Sequence, residues 1–312
     1  MSQKAVEITQ MQDPVFGKLI KLSNGQIELM ATLDFGPRII HFSRVGMENM
    51  LYQDLDKKPL GEKLDVYNGD IMRLYGGHRL WVSPEVMPSC YYPDNVPVAC
   101  ETLPGGNGIV LTEPVEIYNH IQKSIAIEMA PDRPEVTIRH SIRNCGPWDI
   151  EIAPWAITML ATGGIEIMPQ SARETGYLHN RNFSFWDYSA MNDSRLYLGK
   201  DYLTLKQDAD MAHPFKLGYN NENGWAAYIN KGQIFIKFIE PEIDGFYPDG
   251  GCCFETYTCE FMLEMETLGQ MAIIPPGQSV EHTEEWELYP EEQTPGARDE
   301  AAIKAVIGRY VR

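Results

Sequence analysis

The sequence has no disulfide framework, few cations, no long apolar run and almost no helical spacing, and each shortage removes a class of protein. Its six cysteines, Cys90, Cys100, Cys145, Cys252, Cys253 and Cys259, include an adjacent pair and no Cys-x-x-Cys. In a chain of 312 residues that is neither a small secreted scaffold nor a zinc ribbon, and it suits a reducing cytoplasm. The sequons at Asn182 and Asn192 then carry no glycan. Lys and Arg number 26 against 44 Asp and Glu, a formal charge of −18. Such a surface, with no basic cluster, repels phosphate backbones and anionic lipid, so nucleic acid and membrane are excluded as partners. The opening Met1 to Glu7 carries no apolar signal core, and no stretch reaches the length of a membrane span. There is no Gly-x-x-x-x-Gly-Lys loop, no Gly-x-Ser-x-Gly turn and no His-Glu-x-x-His. No two histidines have metal-ligand spacing, and the expectation is neither a metal nor a cofactor.

What is there is alternation. Gln26 to Leu33 follows Lys18 to Leu22 across Asn24-Gly25, a hairpin signal, and Trp225 to Ile229 precedes Gln233 to Ile239 across Asn230-Lys231-Gly232. Val136, Ile138, His140 and Ile142 share one face of a strand, which makes His140 a core histidine. Glu281, Thr283, Glu285 and Glu287 face out where Val280, Trp286 and Leu288 face in. Only Asp299 to Tyr310 has helical spacing, at Ile303, Val306, Ile307 and Tyr310. Many strands with turns between them predict an all-β sandwich over residues 1–290, antiparallel sheet on sheet, with a tail at 291–312 whose short helix packs outside.

Aromatics make up 11% of the chain, and rings serve cores and sugar-stacking clefts equally. The most unusual segment runs Arg73-Leu74-Tyr75-Gly76-Gly77-His78-Arg79-Leu80-Trp81, followed by Glu85. Two glycines allow close approach of a ligand. An imidazole, a guanidinium fork and an indole then supply a proton carrier, donors for vicinal hydroxyls and an apolar plate. The alternative is a strained turn tying down loops. A second segment, Cys259 to Thr267, puts Glu260, Met262, Glu264 and Glu266 on one strand face. Repulsion between Glu264 and Glu266 raises at least one of them towards neutrality, as a proton acceptor requires, unless the face is merely solvated. In loops, Asp187 beside Trp186 pairs with Arg195 or touches ligand; Lys216 touches ligand or snorkels; and Tyr247 belongs to a turn or lines the cleft.

The order of these features resembles the galactose-mutarotase-like, or aldose 1-epimerase, superfamily. Asp34-Phe35-Gly36-Pro37-Arg38-Ile39-Ile40 resembles its early strand, and Gly76-Gly77-His78-Arg79 falls at its first cleft His and Arg. Glu264-Met265-Glu266-Thr267, Ile274-Pro275-Pro276-Gly277 and Glu285-Trp286-Glu287-Leu288 resemble its base-bearing strand, Pro-Gly turn and closing strand. The resemblance implies a β-supersandwich and epimerisation at the anomeric carbon, with Glu264 or Glu266 as base and His78 as acid or ligand-orienting residue. Trp155 stands where the family carries its second His, and an indole cannot supply that proton. The expected ligand is a small sugar, held by a monomer or homodimer. The alternatives are a sugar-binding or sensing module without chemistry, and a glycan lyase or hydrolase.

Overall fold

The computed structural model describes residues 5–311. Alternating segments pair into two large antiparallel sheets, of eleven and ten strands among the described residues. The centre of the first runs Arg38–Arg44, His78–Ser83, Ile150–Leu160, Met262–Leu268, Phe254–Cys259 and Phe215–Tyr219. The centre of the second runs Trp225–Asn230, Gln233–Phe238, Ser279–Pro290, Glu135–Asn144 and Ile121–Met129. No helix among the described residues is long and apolar enough to cross a membrane.

The core lies between the sheets because each strand turns one parity of its residues inward. Phe42 of the first sheet meets Phe235 and Trp286 of the second at centroid separations of 5.5 and 5.4 Å. The helix Glu300–Ile307 starts at Asp299, whose side chain accepts from Ala302 N–H. Its Ile303, Val306 and Ile307 cover the outer face of the second sheet at Ile165, Trp225, Ile234 and Ile236. Gly76 and Gly77 have φ of +87° and +72°, and a Cβ on either would lie within 2.3 Å of a carbonyl oxygen, of Tyr52 or Ile39. Those glycines bring the chain against itself, not against a ligand.

One part of this core is polar. His78, His140, Lys237, Glu284 and Thr158 are fully buried between the sheets. Lys237 Nζ donates to Thr158 Oγ1 (2.7 Å), and the Thr158 hydroxyl serves His78 Nδ1 (2.8 Å). His78 Nε2–H then donates to His140 Nε2 (2.7 Å), and His140 Nδ1–H to the His282 carbonyl (2.9 Å). One set of proton positions satisfies this whole path. Glu284 takes Lys237 on one oxygen (2.9 Å), with Thr267 donating to the same atom, and Trp286 Nε1 on the other (2.8 Å). Burial pushes the Glu284 carboxyl up, but Lys237 and three neighbouring imidazoles outweigh it and hold it below the ordinary carboxylate range. Burial takes the His78 imidazole well below its ordinary 6.5 despite Glu284 nearby. The ligating atoms of His78, His140 and Glu284 lie within 4.8 Å of one another, a set that could hold a cation. Lys237 already provides that cation, and the two imidazole nitrogens stand at hydrogen-bond distance.

Candidate active site

Strand parity decides which side chains reach the outer face of the first sheet. Trp81 lies opposite Trp155, and Arg79 opposite Ile157. Across the next pair Ile157 faces Glu266 and Met159 faces Glu264; beyond that, Glu255 faces Glu266 and Tyr257 faces Glu264. Lys216 in turn pairs with Tyr257. Directly paired residues point to the same side. Arg79, Trp81, Trp155, Glu255, Glu264, Glu266 and Lys216 therefore share one face, and all are buried.

Lys216 organises the acidic side. Its Nζ sits 2.8 Å from Glu255 Oε2 and 2.9 Å from Glu266 Oε2, over the rings of Trp155 (4.5 Å) and Trp186 (4.8 Å). Burial works against its charge, but the two carboxylates prevail and raise it. Trp155 Nε1 also donates to Glu266 Oε2 (2.7 Å), so that oxygen offers lone pairs and no proton, while Oε1 is left without a partner. Burial, and then the Glu266 charge, push Glu264 up to about 8 against the pull of Arg79 and Lys216. It keeps its proton at neutral pH.

The basic side is less complete. The Arg79 guanidinium lies 3.9 Å from the centroid of the Trp81 ring. Its Nε and Nη1, like Trp81 Nε1, have no hydrogen-bond partner among the described residues. Burial and the neighbouring Arg38 lower it to about 10. Tyr91 stands edge-on to Trp81 at 5.1 Å, its hydroxyl donating to Glu85 (2.5 Å), and the Glu85 charge reaches Glu264. Exposed Tyr188 lies within reach of the Lys216 and Glu266 charges, and burial of its hydroxyl end raises it above its ordinary 10.

Several expectations need correction. His78 is not in this cleft: it follows the opposite parity to Arg79 and Trp81 and belongs to the core path described above. Tyr75 stacks on Phe35 (3.9 Å) and donates to Asn95 (2.9 Å), a packing role. Arg73 reaches the Lys57 carbonyl (3.1 Å). Asp187 is exposed, and Arg195 pairs with Asp193 instead (2.8 Å). Glu260 falls in the turn between strands, not on the acidic face. Tyr247 lines two open grooves of about 530 and 690 Å³, its hydroxyl accepting from Glu242 N–H. Neither groove is lined by Lys216, Glu264 or Glu266. Glu255 was missed. The two-residue turn Glu260-Phe261 fixes its register opposite Glu266, and with no Gly, Pro, Asn or Asp in it the sequence reads as one strand straight through.

No family model and no curated protein matches this chain. Solved structures do. A galactose mutarotase-like protein from Lactobacillus casei is 8% identical, covering 87% of this chain and 100% of its own, with a TM-score of 0.57. A candidate aldose 1-epimerase from Klebsiella pneumoniae is 10% identical over 97% of this chain and 86% of its own, at 0.57. Another from Escherichia coli K12 is 13% identical over 92% of this chain and 100% of its own, at 0.53. The likeness is one of fold: this chain has the mutarotase-like β-sandwich.

Proposed function

We propose that the protein binds a sugar on the outer face of its first sheet and moves protons at the anomeric centre, the work of an aldose 1-epimerase. One observation carries this reading. Unpartnered donors (Arg79 Nε and Nη1, Trp81 Nε1) and unpartnered acceptors (Glu255 Oε1, Glu266 Oε1) are buried on a single face. Buried polar groups without partners each cost about 1–3 kcal/mol, and a polyol supplies both kinds of partner at once. The Trp81 and Trp155 rings, packed edge to face at 5.5 Å, form an apolar border beside these polar groups.

The chemistry follows from the two adjacent glutamates. Glu266 Oε1 accepts the proton of the anomeric hydroxyl, and protonated Glu264 gives its proton to the ring oxygen. The C1–O5 bond breaks, the aldehyde turns about C1–C2, and closure on the other face returns both protons. A carboxylic acid thus takes the part expected of a histidine. A second reading, sugar binding without chemistry, draws on the lack of any imidazole on this face among the described residues. Polarimetry on freshly dissolved α-anomers separates the two. Glu264→Gln and Glu266→Gln are each expected to slow mutarotation by about 10²- to 10⁴-fold with binding retained. A wild-type chain that binds sugar but does not accelerate its mutarotation leaves the second reading.

A further inference from the structure

Three cations are buried on the outer face of the first sheet, and two of them are matched. Arg38, fully buried, places Nε 2.7 Å from Asp94 Oδ2 and gives its other N–H groups to the Leu74 and Gly76 carbonyls. Lys216 has Glu255 and Glu266. Arg79, paired across the strands with Arg38, is 4% exposed and has neither a carboxylate partner nor a hydrogen-bond acceptor among the described residues. Its nearest acidic neighbour by charge, Glu264, holds a proton at neutral pH. A buried guanidinium left unmatched is costly to the fold, and the cost is recovered only when an anion arrives.

We infer that the ligand is a sugar acid, its single carboxylate paired with Arg79 and Trp81 Nε1 and its hydroxyls donating to Glu255 and Glu266. This rests on the reading of the cleft as a sugar site. Burial raises Glu255 to about 8, so at neutral pH Lys216 answers the Glu266 charge alone and the charge left to be matched is one unit; the guanidinium edge is planar, which suits a carboxylate. A phosphate monoester brings close to two charges at neutral pH and leaves one unmatched.

Calorimetric titration of the full chain tests this with D-glucuronate and D-galacturonate, against D-glucose, D-galactose and D-glucose 6-phosphate. The uronates are expected to bind at least about ten-fold more tightly than the matching hexoses. Arg79→Met is expected to abolish that preference. The same variant, free of ligand, is expected to melt above the wild type, since it removes an unmatched buried charge. Hexoses that bind as tightly as uronates, or a phosphate that binds more tightly, overturn the sugar-acid inference and leave the sugar site standing. If none of the five binds, the sugar site itself falls. A folded variant that keeps the preference for uronates overturns the pairing of the carboxylate with Arg79. The comparison of ligands on the wild-type chain decides the matter even if the variant does not fold.

Discussion

The two faces of the first sheet each carry a buried ionic cluster, built from alternate residues of the same strands. His78, Thr158 and Thr267 go inward; their neighbours Arg79, Ile157 and Glu266 go outward. Each cluster has a lysine on glutamate and an indole donating to that glutamate: Lys237 and Trp286 on Glu284 inside, Lys216 and Trp155 on Glu266 outside. By residue type they are hard to tell apart. They differ in completeness. Inside, every step from Lys237 to the His282 carbonyl has its donor and acceptor, and Glu166 Oε1 is the one orphan beside it among the described residues; outside, Arg79 Nε and Nη1, Trp81 Nε1, Glu255 Oε1 and Glu266 Oε1 all lack a partner. A completed buried network supports a fold, and an incomplete one is waiting for something.

The largest effect that would sharpen this contrast is on stability. Lys237→Met leaves Glu284 charged and alone in the core, and is expected to cost about 3–5 kcal/mol in urea denaturation at neutral pH. Lys216→Met is expected to cost less than half as much, because burial already favours the protonated forms of Glu255 and Glu264 beside it. Equal costs would break the comparison.

Acid and base should then act on opposite clusters. His78, His140 and His282 are held below their ordinary 6.5 by burial, so the unfolded chain binds more protons and stability falls as pH drops through 6.5. Glu284, held low, adds to that loss below 4.5. Glu264, raised from 4.5 to about 8, does the reverse: its contribution is full below 4.5 and lost as pH rises through 8. Each group changes stability by at most ~1.4 kcal/mol per pH unit. Glu264→Gln is expected to remove its share of the slope of the urea midpoint between pH 4.5 and 8 and leave the slope below 4.5 alone.

A matched pair of indole variants gives a smaller effect. Trp286→Phe removes a donor to Glu284 and is expected to lose about 1–3 kcal/mol of stability. Trp155→Phe removes the equivalent donor to Glu266, and the expected loss falls on mutarotation, about ten-fold, with melting little changed. Smallest of all, Asp187→Ala, outside both clusters, should leave stability within about 0.5 kcal/mol and sugar binding unaltered.

Alternation carried the reading of the fold, since period two at Val136 to Ile142 and the turns at Asn24-Gly25 and Asn230-Lys231-Gly232 leave little choice but sheet. It also carried Glu264 and Glu266 to a single face. The misplacement of His78 came from grouping residues by adjacency, Gly-Gly-His-Arg-Leu-Trp, when parity separates His78 from Arg79 and Trp81. Glu255 was hidden because Glu260-Phe261, the turn that sets it opposite Glu266, carries no turn-forming residue. The inner cluster was hidden as well. His140, Lys237 and Glu284 come from three strands whose neighbourhood only tertiary pairing creates, and a buried lysine on an otherwise apolar strand gives no local sign of its partner.

The pairing order of the first sheet also bears on how the molecule comes into being. Trp81 must find Trp155, and Trp155 must find Leu268, before any outward face exists. Loops of that length close late and slowly, and ordering so much chain precedes any reward. During synthesis the His78–Ser83 and Ile150–Leu160 strands emerge well before Met262–Leu268, leaving one long edge of Ile150–Leu160 uncovered until the last fifth of the chain arrives. The outward face is therefore a property of the finished chain: a nascent or truncated one lacking Met262–Leu268 has an aggregation-prone edge where the completed protein has its two glutamates.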